Sequence, residues 1–102
     1  MDNISNGLHQ VLVSMGYTPD DIPQKVSHGM EHLLHLLETE DEEAVISYYG
    51  LFGAERLSLD EIAAGCGQSP EDMMARIDRC IRKIAVTPEW GILKGELKQP
   101  AR

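Results

Sequence analysis

At 102 residues, 42% hydrophobic and 25% charged, the chain has the make-up of one small globular domain, and no apolar run approaches the ~20 residues of a membrane span. Seventeen acidic against nine basic residues leave a net charge of −8, which opposes a broad nucleic-acid footprint, since non-specific DNA affinity comes mainly from Lys and Arg neutralising phosphates. Cys66 and Cys80 lack zinc or disulfide-scaffold spacing and read as small core residues, and without a basic-then-apolar leader after Met1 a cytoplasmic location is expected.

Helix starts are marked by a Ser or Thr followed by acids or by a proline at the first helical position. They are Thr18-Pro19-Asp20-Asp21, Thr39-Glu40-Asp41-Glu42, Ser58-Leu59-Asp60-Glu61 and Ser69-Pro70-Glu71-Asp72. Gly16, Gly50, Gly53, Gly65 and Gly67 stand where helices should stop, and no segment alternates with the period of two that a strand requires. The expected fold is all-α, a single domain of five helices. The first spans about Ile4 to Met15. The second runs from Thr18 or Pro23 to Leu37, with Pro23 a kink or the true start. The third covers Glu40 to Tyr49, the fourth Leu59 to Ala64 and the fifth Pro70 to Ala85. Residues 1–35 read as an N-terminal helical extension. Residues 87–102, with Gly91, Gly95 and Pro100, read as an irregular tail anchored by Trp90, Ile92 and Leu93.

On the second helix His28, His32 and His35 share one face, opposite Val26, Met30, Leu33, Leu34 and Leu37. Three imidazoles at this spacing could share a metal. Without nearby cysteines or a His-Glu-x-x-His pattern, a solvated polar face is the simpler reading, and no metal is expected.

On the fifth helix Met73, Ile77, Cys80, Ile81 and Ile84 form one apolar stripe, which is core. The other side carries Arg76, Arg79, Arg82 and Lys83, a basic cluster in an acidic chain. The fourth and fifth helices, joined by Gly65-Cys66-Gly67-Gln68-Ser69, have the short-helix, turn, long-helix layout of a helix-turn-helix. That layout makes Arg76, Arg79, Arg82 and Lys83 candidates for contact with the DNA backbone.

Several short matches fall in one register over residues 36–86. They are Tyr49-Gly50-Leu51, Leu57-Ser58-Leu59-Asp60-Glu61-Ile62-Ala63, Gly67-Gln68-Ser69 and Arg79-Cys80-Ile81-Arg82-Lys83-Ile84. Together they resemble region 4 of the primary-type bacterial sigma factors. The resemblance implies a helix-turn-helix that holds a promoter element and docks on the flap of RNA polymerase. In that family the reading residues lie in a stretch like Ser-Arg-Glu-Arg-Val-Arg-Gln, which Ser69-Pro70-Glu71-Asp72-Met73-Met74-Ala75 replaces here. Ser69 therefore joins the candidate DNA contacts, while Pro70, Met74 and Ala75 offer no paired donors to base edges. The preceding helix, arginine-rich in the family, begins Glu38-Thr39-Glu40-Asp41-Glu42-Glu43 here. Acids suit a helix amino terminus but repel phosphates.

Tyr48, Phe52 and Met74 could supply an adaptable apolar surface for a protein partner, the family analogue being the polymerase flap. The chain lacks a Gly-rich phosphate loop, a nucleophile elbow and HExxH, so neither enzymatic activity nor a cofactor is expected. Two readings of function stay open. One is a transcription regulator that contacts DNA weakly through the fifth helix and engages RNA polymerase or another protein. The other is a protein-interaction module that keeps the sigma-like fold without DNA binding, as a flap binder or a dimerising adaptor.

Overall fold

Six α-helices and one 3-10 turn account for most of residues 3–97, the part of the chain that the computed structural model describes, and there is no strand among these residues. In order they are α1 (Asn3–Tyr17), the 3-10 turn Pro19–Asp21, α2 (Gln24–Leu34), α3 (Thr39–Tyr49), α4 (Leu59–Gly65), α5 (Pro70–Ala85) and α6 (Pro88–Leu97). All six helices feed one hydrophobic core, and the Cα radius of gyration is 13.4 Å, close to the ~13 Å of a compact chain of this length. No helix among the described residues is long and apolar enough to cross a membrane.

α5 is the hub. Its residues Met73, Ile77, Cys80, Ile81 and Ile84 are buried as one stripe, and the helix packs against α1, α3, α4 and α6. Opposite it lie Leu8, Leu12 and Met15 of α1, Ala44, Val45 and Tyr49 of α3, and Ile62 and Ala63 of α4. Leu59, at the start of α4, is half-buried and packs against the edge of this core. α2 buries Val26, Met30, Leu33 and Leu34 and packs on α6.

Two of the four expected caps form. The Ser58 hydroxyl accepts the Glu61 N–H at 3.2 Å and donates to the Glu61 carboxylate, and the Ser69 hydroxyl accepts the Asp72 N–H at 3.1 Å. Thr18 instead donates to the Ser14 carbonyl, extending the end of α1, and Thr39 is already helical with Glu38 at the cap position of α3. Pro23 is the true start of α2, its carbonyl accepting from Val26 and Ser27. The helix closes at Leu34 rather than Leu37 because its exit tightens into three-residue bonds, Leu36 to Leu33 and Leu37 to Leu34.

Gly50 ends α3 in the left-handed conformation, with φ 69°, as a glycine stop should. Gly16 does not stop a helix. It lies in the last turn of α1, where an added Cβ would sit 2.0 Å from the Tyr49 carbonyl oxygen, so its lack of a side chain lets α1 and α3 meet.

The expected irregular tail is a sixth helix through Leu97; residues 98–102 lie outside the described part. Thr87 starts it: the Trp90 N–H reaches the Thr87 hydroxyl at 3.2 Å, Pro88 takes the first helical position and Glu89 the first turn. Trp90 and Leu93 are buried, so this helix belongs to the core.

Candidate nucleic-acid and protein interfaces

The basic face of α5 is smaller than its sequence suggests. The apolar stripe turns Arg76 toward α3, where its Nε donates to Asp41 at 2.5 Å and its Nη2 approaches Glu40 at 3.5 Å. Its side chain is only 20% exposed. The carboxylates that open α3 thus neutralise the first arginine of the stripe. Arg79 and Lys83 are exposed beside a recess of about 200 Å³ floored by Leu37 and Cys80, and Arg82 is exposed further round the helix. Burial, with the Asp41 carboxylate adding to it, pushes the Cys80 thiol up to about 11, so it is protonated at neutral pH. Ser69 is committed to capping α5, and Glu71 and Asp72 follow in its first turn.

The structure does not bring Tyr48, Phe52 and Met74 into one patch. Tyr48 is half-buried edge-on to Tyr49, at 5.0 Å between ring centroids, and lines a recess with His9, Tyr17 and Arg56. Phe52 is 40% exposed beside a different recess, next to Met15, Gly16 and Ile22, and its backbone is left-handed with φ 54°. Met74 is half-buried against the core from α5.

Behind Tyr48 a fixed polar network ties α1 to α3. His9 Nδ1 lies 2.7 Å from the Tyr49 hydroxyl, and Arg56 donates to the Tyr49 carbonyl at 3.1 Å while stacking 3.7 Å over the Tyr17 ring. Burial, reinforced by Tyr48 and Asp78, raises the Tyr49 phenol well above its ordinary value, so it is a neutral phenol at physiological pH.

His28, His32 and His35 are exposed as expected, and their successive rings are set nearly perpendicular, in T-shaped pairs. His35 Nδ1 lies 2.6 Å from Glu42, tying the exit of α2 to α3. Among the described residues no three His, Cys, Asp or Glu side chains are grouped to hold a metal ion.

Two further recesses went unread in the sequence. Between α3 and α4 lies one of about 460 Å³, with Ala44, Leu57 and Ile62 in its wall and Glu40, Glu43 and Glu61 around it. Cys66, expected in the core, is exposed at this recess because the turn after α4 carries it outward. The acids were visible in the sequence, but not the groove they border, which depends on the α3–α4 packing. Between α2 and α6 lies an apolar groove of about 270 Å³ lined by Gly29, Leu33, Leu36, Ile92 and Leu93, with His32 and Glu89 as its polar members. Ile92 is 71% and Leu36 47% exposed. The missed signal was Thr87-Pro88-Glu89, which has the form of Ser69-Pro70-Glu71.

Against known proteins, no protein-family model, no curated protein and no solved structure matches the chain.

Proposed function

We propose that the protein is a protein-interaction module of transcription control, resembling sigma region 4 over α3 to α5, which seats a basic, amphipathic segment of a partner protein in the α3–α4 groove. The observation that carries this reading is the Arg76–Asp41 contact. It brings the acidic start of α3 against the basic face of α5, so a DNA backbone approaching that face would meet Glu40, Asp41 and Asp72 together with the arginines. The α3–α4 groove has the complementary character for a protein, with carboxylates around apolar side chains where lysines or arginines flanking a leucine or valine would fit. RNA polymerase is the partner class that the resemblance implies.

The test is recovery of a protein partner from nuclease-treated host extract, repeated with Glu43→Lys combined with Glu61→Lys. Both side chains are exposed, so the double variant should fold and lose the partner. Retention of the partner by the folded double variant sinks the groove assignment.

A second reading, weak DNA contact, has its own support in Arg79, Arg82 and Lys83, all exposed on α5. It requires duplex binding with a steep dependence on salt that disappears in Arg79→Glu combined with Arg82→Glu.

A further inference from the structure

The α2–α6 groove shares no lining residue with the α3–α4 recess and has a different chemistry. Its floor is apolar and closely packed, since a Cβ on Gly29 would come within 2.9 Å of Leu93. Two large side chains, Leu36 from the exit of α2 and Ile92 from α6, stand exposed beside that floor. Exposed aliphatic side chains flanking an apolar recess mark an interaction site more readily than scattered ones do.

We propose that this groove is the contact surface of a two-fold homodimer. The same patch carries both a projection and a recess, and that is the requirement of an isologous contact: each copy's Ile92 enters the groove of the other beside Leu33 and Leu36. The polar members fit the same symmetry. His32 brings a ring N–H and Glu89 a carboxylate, so a two-fold axis pairs His32 of one copy with Glu89 of the other, twice.

A strongly basic partner segment would find a single carboxylate here, that of Glu89, in contrast to the three glutamates around the α3–α4 recess. Residues 98–102, Lys-Gln-Pro-Ala-Arg, carry no large apolar side chain to fill the groove. Helices of 11 and 10 residues present a face about 15 Å long. Pairing two such faces buries on the order of 1,000 Å² in total, the low end for a specific interface. An interface of that size fits a weak dimer that exchanges with monomer.

Sedimentation velocity on the whole chain between roughly 10 and 500 µM, the range such an interface requires, tests this. The mass should rise from 11.4 kDa toward twice that value with concentration. Ile92→Asp and Leu36→Glu should each hold it at the monomer mass, with helical circular dichroism unchanged because both side chains are exposed. Glu89→Lys should weaken association roughly tenfold, and adding His32→Glu should restore it by reversing the cross-axis pair. A mass that stays at 11.4 kDa across the range overturns the proposal, and is the result expected if a helix of another protein occupies the groove. A dimer that persists in both Ile92→Asp and Leu36→Glu overturns it as well.

Discussion

α5 and α6 are adjacent in the chain, both open with a hydroxyl residue, a proline and a glutamate, and both contribute to one core, yet only α5 is readable as a helix from its pattern. The difference lies in how their apolar residues are distributed. α5 keeps every large aliphatic side chain within one buried stripe, apart from half-buried Met74, and gives the rest of its circumference to charge. α6 buries Trp90 and Leu93 but turns Ile92 outward, and it carries two glycines, Gly91 and Gly95, within its length. A helix that is apolar on two sides shows no single periodic face, and for the same reason it has a face left over after folding. The feature that hid α6 in the sequence is the one that makes its outer surface a candidate interface.

The largest expected effect tests whether α6 belongs to the core at all. Trp90→Ala should cost about 3 to 5 kcal/mol in denaturant unfolding, as much as Ile77→Ala at the centre of α5, at about 2 to 5 kcal/mol. Both side chains are buried, at 4% and 0% exposure. If Trp90→Ala were neutral while Ile77→Ala was costly, α6 would be a loosely attached tail and the comparison would fail.

Glycines supply the next contrast. Gly16→Ala forces a Cβ against the Tyr49 backbone carbonyl and the Arg56 guanidinium, and should destabilise by about 1 to 3 kcal/mol by driving α1 from α3. Gly91→Ala in α6 meets nothing within 4 Å and should stabilise by about 0.5 to 1 kcal/mol through helix propensity alone. Opposite signs in thermal midpoints confirm that α1 meets α3 in close contact while α6 has room around Gly91. Equal signs would contradict it.

The residues themselves show why some features were legible and others not. The bounds of α5 and the identity of its buried stripe follow from Ser69, Pro70 and a 3.6-residue period, all local to the chain. The same holds for the all-helical class. Thr18 and Thr39 look as good as Ser58 and Ser69 in sequence, but cap formation depends on the path of the preceding residue. Thr18 is already turned back onto Ser14 and Thr39 already lies inside its helix. The Arg76–Asp41 pair spans 35 positions, so nothing local announces that the basic stripe loses its first member. Tyr48, Phe52 and Met74 looked like one surface because the chain places them on neighbouring elements. Their separation into different recesses is set by the packing of α1 and α4 around α3, which no local pattern encodes.

Alkaline titration separates the two helices by a smaller amount. Burial raises the Cys80 thiol of α5 from its ordinary 9.0 to about 11. Below pH 9 both folded and unfolded chains keep that proton and stability is unaffected. Between about 9 and 11 the unfolded chain loses it while the folded chain holds it, so stability falls as pH rises, by at most about 2 kcal/mol from this group. Tyr49, also raised by burial, adds to the loss at higher pH. Cys80→Ala should flatten the decline between pH 9 and 11 relative to the parent chain, measured as the slope of unfolding free energy against pH. An unchanged slope would mean that the thiol is as accessible in the folded chain as in the unfolded one.

The smallest effect is the most specific to the comparison. Ile77 and Ile92 are the same residue type on adjacent helices, at 0% and 71% exposure. Ile92→Ser, measured at low micromolar concentration where the proposed dimer is dissociated, should change unfolding free energy by no more than about 0.5 kcal/mol, because a side chain already in water gives up little burial on truncation. The matching change at Ile77 removes a fully buried side chain and leaves an unpaired hydroxyl in its cavity, and so must cost several times more. A loss above about 1 kcal/mol at Ile92 would mean that this side chain packs against its own chain. The groove would then be closed in the monomer, and α6 would have no apolar face left to offer a second copy.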